Sequence, residues 1–129
     1  MLDQVEIFHG LSREELAALE ASSSSESYSK NTVVIQENEP ADALYVIESG
    51  RVKVYCSDKN GKEFIMNSLG VGDYFGELAL LDDSARSASV RTVEPCQFRI
   101  VKKEDFSKVL TDNPGITQQL LGNLAARVR

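Results

Sequence analysis

The chain is poor in the residues that carry metal and nucleophile chemistry. Its 129 residues include one histidine, two cysteines and no tryptophan. A metal-dependent β-barrel enzyme needs several imidazole ligands, and a Ser-His-Asp triad would also have to use the single His9, with no G-x-S-x-G motif around any serine. The adjacent acids Asp82 and Asp83 are interpreted as solvated loop residues, not as a metal site. These shortages predict a protein that is not an enzyme and holds no metal.

Positive charge is also scarce. There are 14 lysines and arginines against 20 aspartates and glutamates, which gives a net charge of −6. Nucleic acids require a basic face, so we expect no DNA binding by this chain alone. A small anionic ligand needs only local positive charge and stays open. Gly70-Val71-Gly72 lacks the third glycine of a dinucleotide-binding loop and is interpreted as a turn.

Long apolar runs are missing as well. The first ten residues, MLDQVEIFHG, contain no stretch suited to a signal peptide, and no window has the length of a membrane span. Cys56 and Cys96 form no C-x-x-C motif and are interpreted as small core residues of a reduced protein, with a disulfide between them left open. We therefore expect a cytoplasmic protein with no membrane partner and no cofactor.

The composition is that of an ordinary globular domain, and the start of its first helix is well marked. A hydrophobic fraction of 42% and a charged fraction of 26% over 129 residues predict one folded domain. Ser12 and Glu15 have the spacing of a capping box, with Leu11 and Leu16 placed as its hydrophobic staple. Residues 1–22 are predicted to be a helical entry. The serine run 22–25 is interpreted as the end of this helix and a solvated junction.

The central segment, residues 23–101, is predicted to be rich in strands, because the residues from Tyr28 to Ile100 have the period of two that is typical of strands. Leu44 and Val46 alternate with Tyr45 and Ile47, and turn residues recur at short spacing. Two further alternating sets each share one face: Val52, Val54 and Cys56, and Cys96, Phe98 and Ile100. Many short strands flanked by helices predict a mainly β fold, a barrel or jelly roll with helical ends.

Helical periodicity returns in residues 102–129. Lys102 to Leu110 is predicted to be a short amphipathic helix, and Asn113-Pro114 matches an N-cap followed by proline at the first helical position. The last helix carries one apolar stripe, formed by Ile116, Leu120, Leu124 and Val128 with Leu121 beside them. On its own this stripe is interpreted as packing on the barrel.

The segment Phe75 to Val90, FGELALLDDSARSASV, places one acid and one arginine among apolar and small residues. Gly76 would begin a helical turn whose N–H groups attract an anion, and the planar fork of Arg86 suits two phosphate oxygens. Ser87 adds a hydroxyl donor, and Glu77 is an acceptor suited to a sugar hydroxyl. A cyclic phosphate fused to ribose meets these needs. A structural Glu77–Arg86 ion pair is the alternative, and charge types alone leave both open.

The same segment resembles a known sequence pattern. FGELALL followed by ARSASV is similar to the phosphate-binding cassette of cyclic-nucleotide-binding domains, which occur in the bacterial catabolite activator superfamily, cyclic-nucleotide-dependent kinases and gated channels. IFHGLS resembles the family's entry to its first helix, and ESGRV and GDYFGE resemble its glycine turns. The resemblance covers nearly the whole chain.

The resemblance implies a fold, a site and a mode of action. The fold would be a double-stranded β-helix with an N-terminal helix, a cassette at 75–90 and two C-terminal helices. The ligand site would comprise Gly76, Glu77, Leu78, Ala79, Arg86 and Ser87. Within it, Glu77 would accept from the ribose 2′-hydroxyl and Arg86 would neutralise the cyclic phosphate. Backbone or hydroxyl donors for the ribose-phosphate would come from Gly76, Ala79 and Ser87.

As a function, the resemblance implies a regulatory domain that binds cAMP, with cGMP open, and relays binding through its C-terminal helices. The domain would be the sensor part of a bacterial transcriptional regulator and would dimerise through its last helix. Two alternatives remain within the same fold. One is a sensor of another small ligand, and the other is a degenerate domain that binds no nucleotide.

Overall fold

The computed structural model describes residues 2–76, 86, 88–116, 118 and 122. The chain starts with two short 3-10 helices, Leu2–Gln4 and Glu6–Phe8. The eight described strands are β1 (Ser24–Tyr28), β2 (Val33–Ile35), β3 (Ala43–Ser49), β4 (Val52–Ser57), β5 (Glu63–Leu69), β6 (Tyr74–Phe75), β7 (Ser89–Thr92) and β8 (Cys96–Lys102). The helices of regular length are α1 (Arg13–Ser22) and α2 (Lys103–Asp112).

Helix α1 begins at a capping box formed by Ser12 and Glu15. The Ser12 hydroxyl accepts from the Glu15 backbone N–H at 3.1 Å, and Glu15 Oε1 accepts from the Ser12 backbone N–H at 3.1 Å. The capping box expected from the sequence is therefore confirmed. It satisfies two N–H groups that the first helical turn leaves without intrahelical partners.

The strands form two antiparallel sheets. The first has the order β1-β8-β3-β6 and the second β2-β7-β4-β5. Most neighbours within a sheet are distant in sequence, as in the pairing of β3 with β8, which places Ala43 opposite Lys102, whereas β4 and β5 are consecutive strands. This arrangement of two facing sheets confirms the mainly β, jelly-roll fold class.

Strand β3 of the first sheet is buried on both faces. Leu44 and Val46 of β3 face a cluster that also holds Phe8, Leu19 and Phe106 of the helical segments. The alternate β3 residues Ala43, Tyr45 and Ile47 face the second sheet, where they join Val52, Leu69, Phe75, Val90, Cys96 and Phe98. Strand β3 is thus the centre of the fold, and its predicted alternation separates two cores instead of a core from solvent.

Helix α2 starts directly at the end of β8. The Lys103 backbone N–H donates to the Asp42 carbonyl at 2.9 Å, which ties the start of α2 to the residue before β3. The helix ends at Asn113, whose backbone N–H donates to the Val109 carbonyl at 3.0 Å. Ile116 follows as a buried residue of the helical core cluster. The rest of the predicted stripe, Leu120, Leu121, Leu124 and Val128, lies outside the described residues.

Two local expectations need correction. Strand β1 starts at Ser24, so Ser24 and Ser25 of the serine run pair with β8 and do not form a solvated junction. Its sequence, SSESY, has no apolar alternation because β1 lies at a sheet edge with mostly exposed side chains. Cys96 is buried as expected, but Cys56 is only partly buried, with its sulfur 3.2 Å from that of Met66; neither cysteine forms a disulfide.

Within the described part of the chain, no helix is long and apolar enough to cross a membrane. The same residues contain no group of three or more histidine, cysteine, aspartate or glutamate side chains placed to hold a metal ion. Asp82 and Asp83 lie outside these residues.

The capping box gives a first prediction about stability. We expect Ser12→Ala to lower the free energy of unfolding by about 1 kcal/mol, because the hydroxyl is the acceptor for the Glu15 N–H. Ser107→Ala is the matched control, because Ser107 is exposed inside α2 and alanine is the better helix former there. Urea unfolding of both variants should show shifts of opposite sign, and a stabilising Ser12→Ala would contradict the structure.

Candidate ligand site

Arg86 carries a buried positive charge. Its side chain is 3% exposed, and its guanidinium donates from Nη1 to the Gly76 carbonyl at 2.7 Å and from Nη2 to the Ala43 carbonyl at 2.9 Å. The nearest described carboxylate oxygen, Asp42 Oδ1, lies 3.7 Å from Nη2 on a side chain that is 87% exposed. Burying a charge is costly unless hydrogen bonds compensate, so these contacts fix where the guanidinium lies.

The backbone of Arg86 is held as firmly as its side chain. Its N–H donates to the Glu39 carbonyl at 2.8 Å, and its carbonyl accepts from the Asn38 N–H at 2.8 Å. Asn38 has a φ of 73°, the left-handed conformation that asparagine tolerates better than most residues. The loop between β2 and β3 is therefore bonded to Arg86 through its middle and, at its end, through Asp42.

Gly76 permits the close approach of Arg86. Its φ is 90°, and a Cβ atom there would lie 2.6 Å from Arg86 Nη1 and 3.2 Å from the Ala43 carbonyl oxygen. A side chain at position 76 would therefore be strained by the backbone and would also displace the guanidinium. Glycine is required here for both reasons.

Aromatic rings form a rigid base beside this arginine. Tyr45 stacks on Phe75 with ring centroids 5.1 Å apart and planes inclined by 3°. Phe98 meets both rings edge to face, with its centroid 6.1 Å from that of Tyr45 and 5.4 Å from that of Phe75. Because Phe75 directly precedes Gly76, this packing sets the position of the Gly76 carbonyl.

A cleft of about 160 Å³ opens beside the guanidinium. It is lined by Val34, Ile35, Gln36, Glu39, Pro40, Asp42, Tyr45 and Arg86. Burial raises the pKa of Tyr45, and the nearby Asp42 carboxylate raises it further, while Arg86 opposes them. The Tyr45 hydroxyl therefore stays protonated at neutral pH and lines the cleft as a neutral group.

The structure describes two of the six predicted site residues and brings them together. Gly76 and Arg86 are ten positions apart and joined by a 2.7 Å hydrogen bond. Glu77, Leu78, Ala79 and Ser87 lie outside the described residues, so their roles remain predictions, as does the alternative Glu77–Arg86 ion pair. Gly76 acts here through its carbonyl as an acceptor for Arg86, a contact the sequence did not suggest.

The sequence reasoning missed the other partners of Arg86. Asn38, Glu39, Asp42 and Ala43 all contact it, three of them through backbone atoms alone. Residue type does not indicate which backbone groups will contact a side chain. In the sequence, nothing distinguishes Asp42 from the other acidic residues. The one available signal was the turn at Asn38-Glu39-Pro40, which lies far from Arg86 along the chain.

Two facing sheets, helices over one of them and a buried arginine beside a cleft define a β-roll domain. The chain belongs to the cyclic nucleotide-binding domain family, whose model matches residues 25–113. The match includes every described strand except the first residue of β1, together with α2 and Arg86.

Similar proteins are regulators. A CRP-like cAMP-activated global transcriptional regulator of Mycobacterium tuberculosis is 32% identical over all of this chain and 58% of its own length. The sensor domain of the transcriptional regulator DNR from Pseudomonas aeruginosa is similar in structure, with a TM-score of 0.86, 30% identity and coverage of 98% of this chain and 85% of that one. The catabolite activator protein of Thermus thermophilus is also similar in structure, with a TM-score of 0.81 and 31% identity. The similarity covers 95% of this chain and 58% of that one. The chain thus spans somewhat more than half of the curated relatives that it matches.

Gly76 offers a test of this geometry. We expect Gly76→Ala to lower the free energy of unfolding by about 1–3 kcal/mol, because the new Cβ meets a strained backbone and the buried guanidinium. Gly10→Ala is the control, since a Cβ at Gly10 meets nothing within 4 Å. Equal unfolding midpoints in urea for the two variants would contradict the contact between Gly76 and Arg86.

Proposed function

We propose that this domain binds a cyclic nucleotide, with cAMP as the preferred ligand and Arg86 as the partner of the cyclic phosphate. The observation that carries the proposal is the buried guanidinium of Arg86, oriented by the carbonyls of Gly76 and Ala43. Carbonyl oxygens are neutral acceptors, so these two hydrogen bonds orient the guanidinium without neutralising its charge. This local charge lies in a chain whose net charge is −6.

The choice of cAMP is supported by the family and by its members. The chain's family is described as cyclic nucleotide-binding, and the Mycobacterium tuberculosis relative is described as cAMP-activated. By resemblance to that family, Glu77 accepts from the ribose 2′-hydroxyl. Gly76, Leu78, Ala79 and Ser87 complete the ribose-phosphate site, and cGMP remains the competing ligand.

The relay of binding runs to the C-terminal helices in this proposal. Arg86 donates to the Ala43 carbonyl, and the neighbouring Asp42 carbonyl accepts the first N–H of α2 from Lys103 at 2.9 Å. A ligand that draws the guanidinium toward itself therefore acts on the peptide group adjacent to the one that anchors α2. Regulation of transcription through further segments, and pairing of two chains through Leu120 and Leu124, belong to the same proposal.

Arg86 supplies the test of phosphate binding. In isothermal titration, Arg86→Ala should bind cAMP at least about a hundredfold more weakly, because charge-assisted hydrogen bonds to the phosphate are lost. Arg86→Lys should recover only part of the affinity, because an ammonium group lacks the planar fork. Arg51→Ala serves as control, since Arg51 is exposed and its side chain bonds Ser68. Native affinity in a folded Arg86→Ala variant would overturn the assignment.

Glu77 separates a nucleotide site from a general anion site. A carboxylate beside a phosphate is unfavourable unless a hydrogen bond compensates, and the ribose 2′-hydroxyl is the donor at hand. The 2′-deoxy analogue of cAMP should therefore bind at least about tenfold more weakly than cAMP to the native chain. In Glu77→Ala this difference should shrink, as in a double-mutant cycle. Equal affinities of the native chain for the two ligands would remove Glu77 from the site.

A second candidate function stays within the fold. The DNR structure is described as the sensor domain of a transcriptional regulator, with no cyclic nucleotide named, and this description supports a sensor of another small ligand as the second candidate. Titration of the native chain with cAMP and then with cGMP decides between the two, because the absence of heat with both supports this second candidate.

A further inference from the structure

One carboxylate joins the two ends of the described chain. Glu15 Oε1 accepts from the Ser12 backbone N–H within α1, and Glu15 Oε2 accepts from the Asn113 side-chain amide at 3.1 Å. Donation from the backbone of Ser12 and from the amide of Asn113 lowers the pKa of Glu15. The group is therefore ionised at neutral pH, and each of its oxygens has its own donor.

Asn113 lies where the chain changes direction. Its backbone N–H and its side-chain amide donate to the Val109 carbonyl at 3.0 and 3.1 Å, which closes the last turn of α2. Its own carbonyl accepts from the Ile116 N–H at 3.0 Å, which opens the next helical turn at Pro114. Because proline has no N–H to donate, helix α2 cannot continue through this point.

Helix α2 is bonded to other parts of the chain at both of its ends, and the turn that follows it packs through Ile116. The start of α2 is bonded to Asp42, and its end is bonded to α1 through Asn113 and Glu15. Ile116 packs into the same apolar cluster as Leu19 of α1 and Phe106 of α2. Asn113 is bonded to the last turn of α2, so a displacement of the end of α2 relative to α1 would carry its side chain away from Glu15 and break the bond.

We propose that the Glu15–Asn113 bond is a latch that holds the end of α2 against α1, and that Glu15 is a positioning residue for the nucleotide response. The latch deepens the proposed function and rests on its relay through the C-terminal helices. Binding that moves the end of α2 away from α1 has to break the bond, so the latch lowers the apparent affinity for the nucleotide. Exposed hydrogen-bonded pairs of this kind shift an equilibrium by about two- to fivefold.

The sequence allows the bond to be removed and rebuilt. In Glu15→Gln, glutamine keeps an oxygen for the Ser12 N–H, since either residue completes a capping box, but its amide nitrogen cannot accept from Asn113. In Asn113→Asp, the carboxylate has no donor for Glu15. Combining both changes restores the pair with reversed polarity, because glutamine then donates to aspartate. Glu14→Gln is the control, as it removes the same charge from the neighbouring exposed position.

Two measurements test the latch. Isothermal titration with cAMP should show about two- to fivefold tighter binding for Glu15→Gln and for Asn113→Asp, and native affinity for Glu14→Gln. Hydrogen exchange of the Ile116 amide by NMR should be faster in both single variants by a similar factor. The double variant is compared with Asn113→Asp, because both carry the same altered cap on α2. Relative to that single variant, its cAMP affinity and its Ile116 exchange rate should return toward the native values.

The outcomes separate the latch from the nucleotide assignment. If Glu15→Gln behaves like Glu14→Gln, or if the double variant does not return toward the native values, the latch is wrong. If the native chain binds neither cAMP nor cGMP, the proposed function fails, and the Ile116 exchange rates in the four variants still decide whether Glu15 holds the end of α2. Exchange of the Leu16 amide, which donates to Ser12, reports whether the capping box survived each change.

Discussion

The burial of the Arg86 guanidinium is the constraint on which this part of the fold depends. A positive charge with 3% exposure is tolerated only where acceptors are held in place around it. Here those acceptors come from the residue after β6 and from the first residue of β3, while the loop before β3 holds the arginine backbone. Two segments that are remote in sequence, the residue after β6 and the stretch that leads into β3, are thereby fixed to one another through Arg86.

The acceptors can be held in place because β3 is packed on both faces. Its outward residues lie under the helices and its inward residues against the second sheet, so the strand has little freedom to shift. The stack of Tyr45 on Phe75 extends this rigidity to the residue beside Gly76. A site for a small ligand gains from such support, because groups fixed before binding lose less conformational freedom when the ligand arrives.

Local signals predicted much of this architecture. The Ser12–Glu15 spacing identified the start of α1, alternation identified β3, and the Phe75–Val90 pattern pointed to Arg86 as a residue of special chemistry. Two kinds of feature escaped. Strand β1 is polar because it lies at an edge, so it shows no alternation. The partners of Arg86 are mostly backbone carbonyls, and which carbonyl meets a side chain depends on the three-dimensional path of the chain and not on residue type.

The strength of these contacts limits what the domain can transmit by itself. A single hydrogen bond of the kind that joins Arg86 to Ala43 has a charged donor and contributes about 1.5–3 kcal/mol, which shifts an equilibrium by roughly 13- to 160-fold. Conversion of a two-state switch from mostly off to mostly on needs about 5.5 kcal/mol of differential binding. A route that ran only from Arg86 through Ala43 and Asp42 to α2 would therefore give a graded response. A full switch requires the nucleotide to make further contacts that differ between the two states, and the segment after Asn113 is where the proposed relay places them.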